Sequence, residues 1–325
     1  MLRIQGKTQR LIGCLVALLG SLGGSVAARA AEPAVLRIVV PFPAGGVTDQ
    51  TARIVAAQMA KELGRTVIVE NRPGAGSRLG TDAVFKAAPD GNTLLFTNSS
   101  FSILPIIDPA AAWQRSSTFV PLSMTASYGL QIVAGLQVPV KTLPEFITYA
   151  RQRPGKLSYG SSGIGSGSHF AGEYFKSLTG TFLVHIPYRS TIDAVRDVAG
   201  GVVDLAFDAA AKPAIDAGRV TLLAVTSDKR DPRFSSTPTA AEAGLKAFVL
   251  TSWVGLLAPP GLPDDMAAAF SRAADLSRAD PSVQKRLEEA GLQAQGGPPS
   301  KLATMIKDEA ALYRRIADSA RLMFE

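Results

Sequence analysis

Short apolar runs alternate with apolar residues at helical spacing through the first hundred residues of the chain. Residues 36–40 are mostly apolar and β-branched, which predicts a buried strand. After Thr48, apolar residues recur at roughly helical spacing, which indicates an amphipathic helix. Further strands are predicted at residues 66–70 and 93–97, with a helix at residues 77–88 between them. The resulting β-α-β-α-β order favours a parallel, doubly wound sheet.

The rest of the chain continues this alternation and ends in helices. Two strand-like runs flank Tyr128 and Gly129, and residues 98–120 predict only loop and short helix. Further strands are predicted at residues 157–160, 182–186, 202–207, 220–226 and 253–258. Helices are predicted at residues 143–153, 169–178, 263–278, 282–290 and 300–321. The last of these has an apolar face, so we expect it to pack onto a lobe.

Length and composition favour two globular lobes. A chain of 325 residues exceeds one typical core, and 46% of its residues are hydrophobic. No low-complexity linker divides it, so we expect strands that pass between the lobes and a ligand cleft between them. The predicted fold is α/β, and each lobe is a doubly wound, mostly parallel sheet. Residues 31–130 and 228–325 are assigned to lobe 1, and residues 131–227 to lobe 2.

The first thirty residues have the pattern of a secretory signal peptide. A basic start precedes an apolar stretch over residues 11–26, and Ala28 and Ala30 suit a cleavage site before Ala31. A membrane anchor is the alternative, but the apolar stretch is shorter than the roughly 20 residues that a span needs. Cys14, the only cysteine, lies early in this stretch, so lipidation is a weaker alternative to cleavage near Ala30. We expect a periplasmic protein without disulfide bonds.

The high net charge belongs partly to this segment. Residues 1–30 carry four basic residues and no acidic one, so their removal leaves 30 basic against 27 acidic residues. A mature charge of +3 argues little for nucleic acid as a partner.

The loop after the first strand is the leading candidate for a binding site. Pro41 and Pro43 end the strand, and Gly45 and Gly46 allow the backbone to approach a ligand closely. Thr48 could cap the following helix. Backbone N–H groups and the positive end of a helix dipole would then meet a small anion. An ordinary βα turn is the equally weighted alternative.

Other polar loops follow the carboxyl ends of predicted strands, where open α/β sheets bind ligands. Asp49 could receive a ligand ammonium, although an acidic residue in a first turn usually only complements the helix dipole. Arg189 could pair with a ligand carboxylate or be a surface charge. Asp208 could contact the ligand or brace the lobes. The candidate ligand-binding residues are Phe42, Ala44, Gly45, Gly46, Asp49, Thr97, Asn98, Ser161, Ser162, Gly163, His169, Arg189 and Asp208.

Motifs of enzymes are scarce. The two histidines, His169 and His185, lack neighbours at metal-ligand spacing, and no G-x-S-x-G or phosphate-loop motif occurs. A serine hydrolase using Ser162 or Ser166 with His169 is conceivable but disfavoured. His185 is expected to be a satisfied core residue. We therefore expect no catalytic residue, no metal and no cofactor.

Several motifs resemble one family in order over nearly all of residues 35–325. They are VPFPAGG at residues 40–46 with Asp49, VENRPGAG at 69–76, AAPDG at 87–91, YGSSG at 159–163 with His169, HIPYR at 185–189, VDLAFD at 203–208, LAVTS at 223–227 and PTAAEAG at 238–244. The chain resembles the Bug (Bordetella uptake gene) receptors, the extracytoplasmic solute-binding proteins of tripartite tricarboxylate transporters. The resemblance implies a type II periplasmic-binding-protein fold whose two lobes close on a small carboxylate. It also implies contacts from the loop over residues 42–49 and from Thr97, Asn98, Ser161, Ser162, Gly163, His169 and Asp208.

The chain departs from the family pattern at three places. Ser190 stands where glycine is expected, Arg78 replaces a small residue or asparagine, and residues 208–212 replace the usual turn. These departures leave the substrate open. The interpretation is a monomeric, non-enzymatic receptor that delivers a carboxylate to membrane transporter subunits. The alternatives are an orphan sensor that signals through a partner and, more distantly, a cleft hydrolase.

Overall fold

The computed structural model describes residues 35–108, 119–320 and 322. The predicted signal peptide, with Cys14 and the cleavage site near Ala30, lies outside the described residues. Among the helices of the described ranges, none combines the length and apolar content that crossing a bilayer needs.

Strands and helices alternate along the described chain much as the apolar pattern predicts. The strands are β1 (Leu36–Val40), β2 (Val67–Asn71), β3 (Thr93–Asn98), β4 (Val120–Gly129), β5 (Gln131–Gly135), β6 (Leu157–Ser161), β7 (Leu183–Pro187), β8 (Leu205–Asp208), β9 (Val220–Val225), β10 (Thr251–Ala258) and β11 (Gln293–Ala294). The helices are α1 (Val47–Leu63), α2 (Arg78–Phe85), α3 (Ser100–Ile107), α4 (Leu143–Arg151), α5 (Gly167–Thr179), α6 (Thr191–Ala199), α7 (Lys212–Asp216), α8 (Asp264–Ala279), α9 (Pro281–Glu289) and α10 (Pro299–Ala320).

The strands form two separate sheets. In the first sheet the order is β11-β4-β10-β3-β1-β2, and in the second it is β7-β6-β8-β5-β9. The strands β1, β2 and β3 are parallel, whereas β10 is antiparallel to both of its neighbours, β3 and β4. The second sheet repeats this plan, with parallel β6, β7 and β8 and a reversed β5. Each described sheet thus has four strands in one direction, which confirms the predicted two-lobed α/β fold.

Each sheet has its own apolar core. Ile38, Leu94 and Phe96 are fully buried against the first sheet, and Phe146 and Phe207 are fully buried against the second. Burial of each such side chain stabilises the fold by about 1.5–3 kcal/mol relative to exposure.

The chain passes twice between the sheets, at Leu130 and through residues 226–250. Thr226 joins the two crossings, because its Oγ1 accepts from the Leu130 N–H at 2.9 Å and donates to the Leu250 carbonyl at 2.6 Å. Ala240, Phe248 and Leu250 pack in the core of the second sheet. The lobe boundaries remain a prediction, and this packing favours a return to lobe 1 at about residue 251 rather than at 228.

Two predicted elements differ in detail. The predicted helix over residues 77–88 is α2, preceded by a 3-10 turn over Ala75–Ser77, because Ala75, Gly76 and Ser77 have positive φ. The last helix was expected to pack onto one lobe, whereas in the structure it packs against elements of both. Leu302 of α10 packs in a cluster with Trp253 of the first sheet, and Tyr313 of α10 packs against Phe170 of α5.

Candidate functional site

Loops at the carboxyl ends of strands from both sheets surround one cavity of about 1240 Å³. Gly45 and Gly46 follow β1, and Asn98 ends β3, on the side of the first sheet. Ser162 follows β6 and Arg189 follows β7, on the side of the second sheet. Strand ends and helix starts therefore meet where open α/β sheets bind ligands.

The first helix presents its N-terminus to this cavity. Gly46 is the N-cap of α1 and makes no side-chain capping bond, and Gly46, Val47 and Thr48 line the cavity. The first amides of a helix lack partners within the helix. The cavity therefore meets unpaired backbone donors and the positive end of the dipole of a 17-residue helix.

The two glycines of this loop have different backbone conformations, and only that of Gly45 requires glycine. Gly45 has φ +87°, a conformation that disfavours other residues, whereas Gly46 has φ −73° and ψ 167°, which any residue adopts. A Cβ on Gly46 would meet nothing closer than the Pro43 carbonyl oxygen at 3.8 Å. The predicted capping role of Thr48 is wrong: Gly46 is the N-cap, and Thr48, the second residue of α1, accepts from Asn98 Nδ2 at 2.9 Å through its Oγ1.

Asp49 fixes the glycine loop from inside the protein. Its Oδ2 accepts from the Gly45 N–H at 2.8 Å and from Arg53, and its Oδ1 accepts from Asn71 Nδ2 at 2.9 Å. Burial alone would raise the pKa of Asp49, but the hydrogen bonds from Arg53, Gly45 and Asn71 outweigh it and hold that pKa below its usual range. Asn71 also donates to the Phe42 carbonyl at 3.1 Å. The carboxylate is thus ionised and fully partnered within the protein.

The serine loop of the second sheet is held by its own side chains. Ser168 Oγ accepts from the Ser162 N–H at 3.0 Å, and Ser166 caps α5 by accepting from the His169 N–H at 3.2 Å. Ser161 is fully buried, and its Oγ lies 2.6 Å from His185 Nε2 and accepts from the Gly163 N–H. The loop is therefore shaped before any ligand arrives.

The two histidines stack behind this loop. Their ring centroids lie 4.2 Å apart, and His185 also stacks on Tyr159 at 4.9 Å. Burial, and then the neighbouring His169, lower the pKa of His185 to about 4, and burial lowers the pKa of His169. His169 Nδ1 accepts from the Gly165 N–H at 3.2 Å, so it holds the loop rather than activating a serine. The hydrolase pairing of His169 with Ser162 or Ser166 is not formed through side chains in the described structure.

Eight of the thirteen predicted site residues line the cavity: Phe42, Ala44, Gly45, Gly46, Asn98, Ser162, Arg189 and Asp208. The other five do not line the cavity: Asp49, Thr97, Ser161 and His169 are buried, and Gly163 is half-buried. Sequence reasoning missed Tyr128 and Ser252, which also line the cavity, because nothing in their local sequence marks them. Arg53 and Asn71 were missed as partners of Asp49; Arg53, one helical turn later, could have been found from its spacing.

Within the described ranges, no group of three or more His, Cys, Asp or Glu side chains could hold a metal ion. The cavity instead offers backbone amides, hydroxyls, amides of side chains and a few charged groups. Such a wall binds and orients a small polar ligand.

A protein-family model described as "Tripartite tricarboxylate transporter family receptor" matches residues 51–322. The chain belongs to this receptor family. Protein BugT of Bordetella pertussis is 32% identical over 295 residues, which cover 89% of this chain and 88% of that protein. The predicted resemblance to the Bug receptors is therefore confirmed.

Solved structures of relatives have the same fold as the receptor. An R. palustris protein solved with adipate is 31% identical, has a TM-score of 0.82, and is matched over 89% of this chain and 98% of its own. MatC from Rhodopseudomonas palustris, with bound malate, is 31% identical, has a TM-score of 0.78, and is matched over 87% and 98%. The protein is an extracytoplasmic solute-binding receptor with two sheets.

Proposed function

We propose that the receptor captures a small carboxylate-bearing solute in the cavity and delivers it to the membrane subunits of a tripartite transporter. The adipate and malate bound to the two related proteins support this ligand class. The family to which the chain belongs supports the transporter as partner.

The observation that carries the proposal is the uncapped N-terminus of α1 at the cavity wall. A carboxylate there accepts hydrogen bonds from backbone amides and lies at the positive end of the helix dipole. Gly45 gives the turn its conformation, and Gly46 leaves the approach to these amides free of a side chain. Thr48 and Asn98 also line the cavity, and a hydrogen bond from Asn98 Nδ2 to Thr48 Oγ1 joins them.

We also propose that the receptor acts as a monomer and catalyses no reaction on its ligand. The side chains that a hydrolase would need are occupied elsewhere: Ser166 caps α5 and donates to the Gly163 carbonyl at 2.7 Å, and His169 binds the Gly165 N–H. Binding without turnover is what a delivery protein requires.

Binding and turnover are tested together. Mono-, di- and tricarboxylates and the corresponding neutral amides are screened by thermal shift, and the stabilising compounds are measured by titration calorimetry. We expect saturable binding of at least one carboxylate, no binding of its amide, and recovery of the ligand unchanged. Conversion of the ligand that is lost in Ser162→Ala or His169→Ala would contradict the receptor and support a hydrolase.

Gly46→Val tests the backbone site directly. The Cβ of a valine at this position meets no atom closer than 3.8 Å but stands at the cavity wall, so affinity should fall at least tenfold while the melting temperature changes little. Gly200→Val is the matched control, because Gly200 has φ −88° and lies outside the cavity wall. Unchanged affinity in Gly46→Val would show that the carboxylate does not bind at the N-terminus of α1.

The mature form is proposed to begin near Ala31 after cleavage of the signal peptide. Intact mass of the protein recovered from the periplasm measures its N-terminus. A lipid-modified chain that begins at Cys14 would contradict cleavage near Ala30.

A further inference from the structure

One buried carboxyl, that of Glu309 in α10, has no part in the proposed binding site. Its side chain belongs to a residue that is only 7% exposed, and its oxygens accept from Trp253 Nε1 at 2.6 Å and from the Tyr313 hydroxyl at 3.3 Å. Both donors are neutral, so neither supplies a counter-charge to an ionised carboxylate. A buried charge without a counter-charge is costly, and uptake of a proton removes that cost.

Glu309 is joined to the lining of the cavity on the side of the first sheet. Trp253, which donates to Glu309 through its indole, donates through its backbone N–H to Ser99 Oγ at 3.2 Å, and Ser99 lines the cavity. Tyr128 also lines the cavity. Burial raises the pKa of Tyr128, and the charges of Glu309 and Asp208 raise it further. The carboxyl is therefore one residue removed from the lining and interacts with it electrostatically.

Tyr313 joins the same carboxyl to the side of the second sheet. Its hydroxyl donates to Glu309, and its ring packs edge-on against Phe170 of α5, with the ring centroids 5.2 Å apart. The Phe170 N–H donates at 3.0 Å to the carbonyl of Ser166, which lines the cavity. A ligand that contacts both sides of the cavity is thus connected to Glu309 from both sides.

The elements packed against α10 carry few other titratable groups. These elements are mainly β4, α3 and α5, together with β10, which carries Trp253. Their titratable residues are Tyr128 of β4 and His169, Glu173, Tyr174 and Lys176 of α5. Glu173 is paired with Lys176 at 2.8 Å, and burial lowers the pKa of His169. Burial raises the pKa of Glu309 to about 7, so this carboxyl changes its charge near neutral pH.

We propose that Glu309 takes up a proton when an anionic ligand occupies the cavity. An ionised Glu309 and a bound carboxylate are like charges, and their repulsion grows as the protein excludes water around the ligand. Anion binding and protonation of Glu309 therefore favour each other, and this coupling is reciprocal. The inference rests on the proposed function, since it assumes an anionic ligand, and it adds a proton that binds with that ligand.

The coupling makes affinity depend on pH. A unit charge about 12 Å away, at an effective dielectric constant of about 20, shifts a pKa by about one unit, and salt reduces this shift. The affinity of the wild type should therefore fall about two- to fivefold from pH 7 to pH 9, because protonated Glu309 is lost over this range. In Glu309→Gln it should fall less by this factor, and the comparison cancels every other group that titrates there. The probe for titration calorimetry is adipate or malate, or the tightest-binding carboxylate of the screen if neither binds.

Calorimetry in two buffers counts the protons directly. Tris and HEPES differ in their enthalpies of ionisation, so the difference in binding enthalpy between them at pH 7.5 measures the protons exchanged. We expect the wild type to take up about 0.3–0.5 proton per bound ligand more than Glu309→Gln. Asp308→Asn is the matched control, because Asp308 is the neighbouring carboxylate of the same helix and is exposed. It should keep the proton uptake of the wild type.

Trp253 reports the protonation of Glu309 without removing the carboxyl. The chain has two tryptophans, so Trp113→Phe leaves Trp253 as the only one. Its fluorescence should titrate with a midpoint near pH 7 in the ligand-free protein, because its indole donates to Glu309. With saturating probe the midpoint should rise by about half a unit to one unit. Addition of Glu309→Gln should abolish this titration.

Two results would overturn the inference and leave the carboxylate receptor intact. One is a fluorescence midpoint that the bound probe does not raise. The other is equal proton uptake by the wild type and Glu309→Gln. Failure of every carboxylate to bind the wild type would overturn the proposed function and this inference with it.

Discussion

At the scale of single residues, the buried carboxylate of Asp49 holds the glycine loop that precedes the N-terminus of α1. Asp49 accepts from the Gly45 N–H and thereby fixes the turn, while Gly46 and Val47, at the start of α1, line the cavity. The sequence predicts the glycine turn and an acidic residue in the first helical turn. It does not predict the bond to Asn71, because that partner is 22 residues away and depends on the pairing of β1 with β2.

Asp49→Asn should lower both stability and ligand affinity. The amide places a donor among the donors of Gly45, Arg53 and Asn71, so at least one of these groups loses its partner, at a cost of about 1–3 kcal/mol. Urea unfolding and calorimetry at neutral pH measure the two effects. Glu62→Gln, on the exposed end of the same helix, should change neither.

The effect of Asp49→Asn should also depend on pH. The pKa of Asp49 is lower in the folded protein than its ordinary value of 3.8, so ionised Asp49 stabilises the fold above that value. Its contribution falls as the pH drops below about 4, where the unfolded chain already binds the proton. The difference in unfolding free energy between wild type and variant should therefore shrink in acid. A constant difference from pH 7 to pH 3 would contradict this account.

At the scale of elements, Thr226 joins the segments that cross between the sheets, through its hydroxyl and through backbone hydrogen bonds to Leu130 and Leu250. Thr226 is fully buried and bridges Leu130 and Leu250, one from each crossing. The local sequence predicts the strands on either side, but it does not predict the hydrogen bonds of the Thr226 hydroxyl to Leu130 and Leu250. The residue at which the chain returns to lobe 1 stays a prediction, and the local sequence says little about it, because residues 239–250 contain no regular strand or helix.

Thr226→Val should destabilise the protein by about 1–3 kcal/mol, because a side chain of the same shape leaves a buried N–H and a buried carbonyl unpaired. Thr226→Ser keeps the hydroxyl and serves as the control. Equilibrium unfolding in urea compares the two variants with the wild type. Equal stability of the valine and serine variants would show that the bridge contributes little.

The helix α10 carries a buried carboxyl behind the cavity. Glu309 accepts from Trp253 Nε1 at 2.6 Å and from the Tyr313 hydroxyl at 3.3 Å. Burial raises the pKa of Glu309 to about 7, despite the hydrogen bonds from Trp253 and Tyr313, which favour the ionised form. The apolar pattern of α10 predicts which face is buried, but not that this face includes a glutamate.

Protonated Glu309 should stabilise the fold. Its folded pKa of about 7 exceeds the ordinary value of 4.5, so the stabilisation is complete below 4.5 and is lost as the pH rises to about 7. Glu309→Gln should lack this loss, so its unfolding free energy relative to the wild type should rise between pH 5 and 7. His185, with its lowered pKa, acts in the opposite sense over part of this range, and the comparison between the two proteins cancels it. A pH-independent difference would contradict the raised pKa.

At the scale of the whole molecule, the alternation of strands and helices was enough to predict two lobes with a site between them. Both sheets place parallel strand ends at the cavity, which is why glycine and serine loops far apart in sequence meet there. The residues behind the wall were harder to predict. Ser161 ends β6 directly before Ser162, and its contact with His185, 24 residues away in sequence, cannot be predicted from the local sequence.

Ligand binding should stabilise the molecule and draw the lobes together. A ligand that contacts loops of both sheets binds best when those loops approach, so it favours the more closed conformation. At one hundred times the dissociation constant, a ligand specific for the folded state stabilises it by about 2.7 kcal/mol. Small-angle X-ray scattering should show a smaller radius of gyration with the tightest carboxylate, and thermal unfolding should show the matching shift. Gly46→Val should show neither change. Stabilisation of the wild type without any change in the radius of gyration would show that the ligand binds without closure.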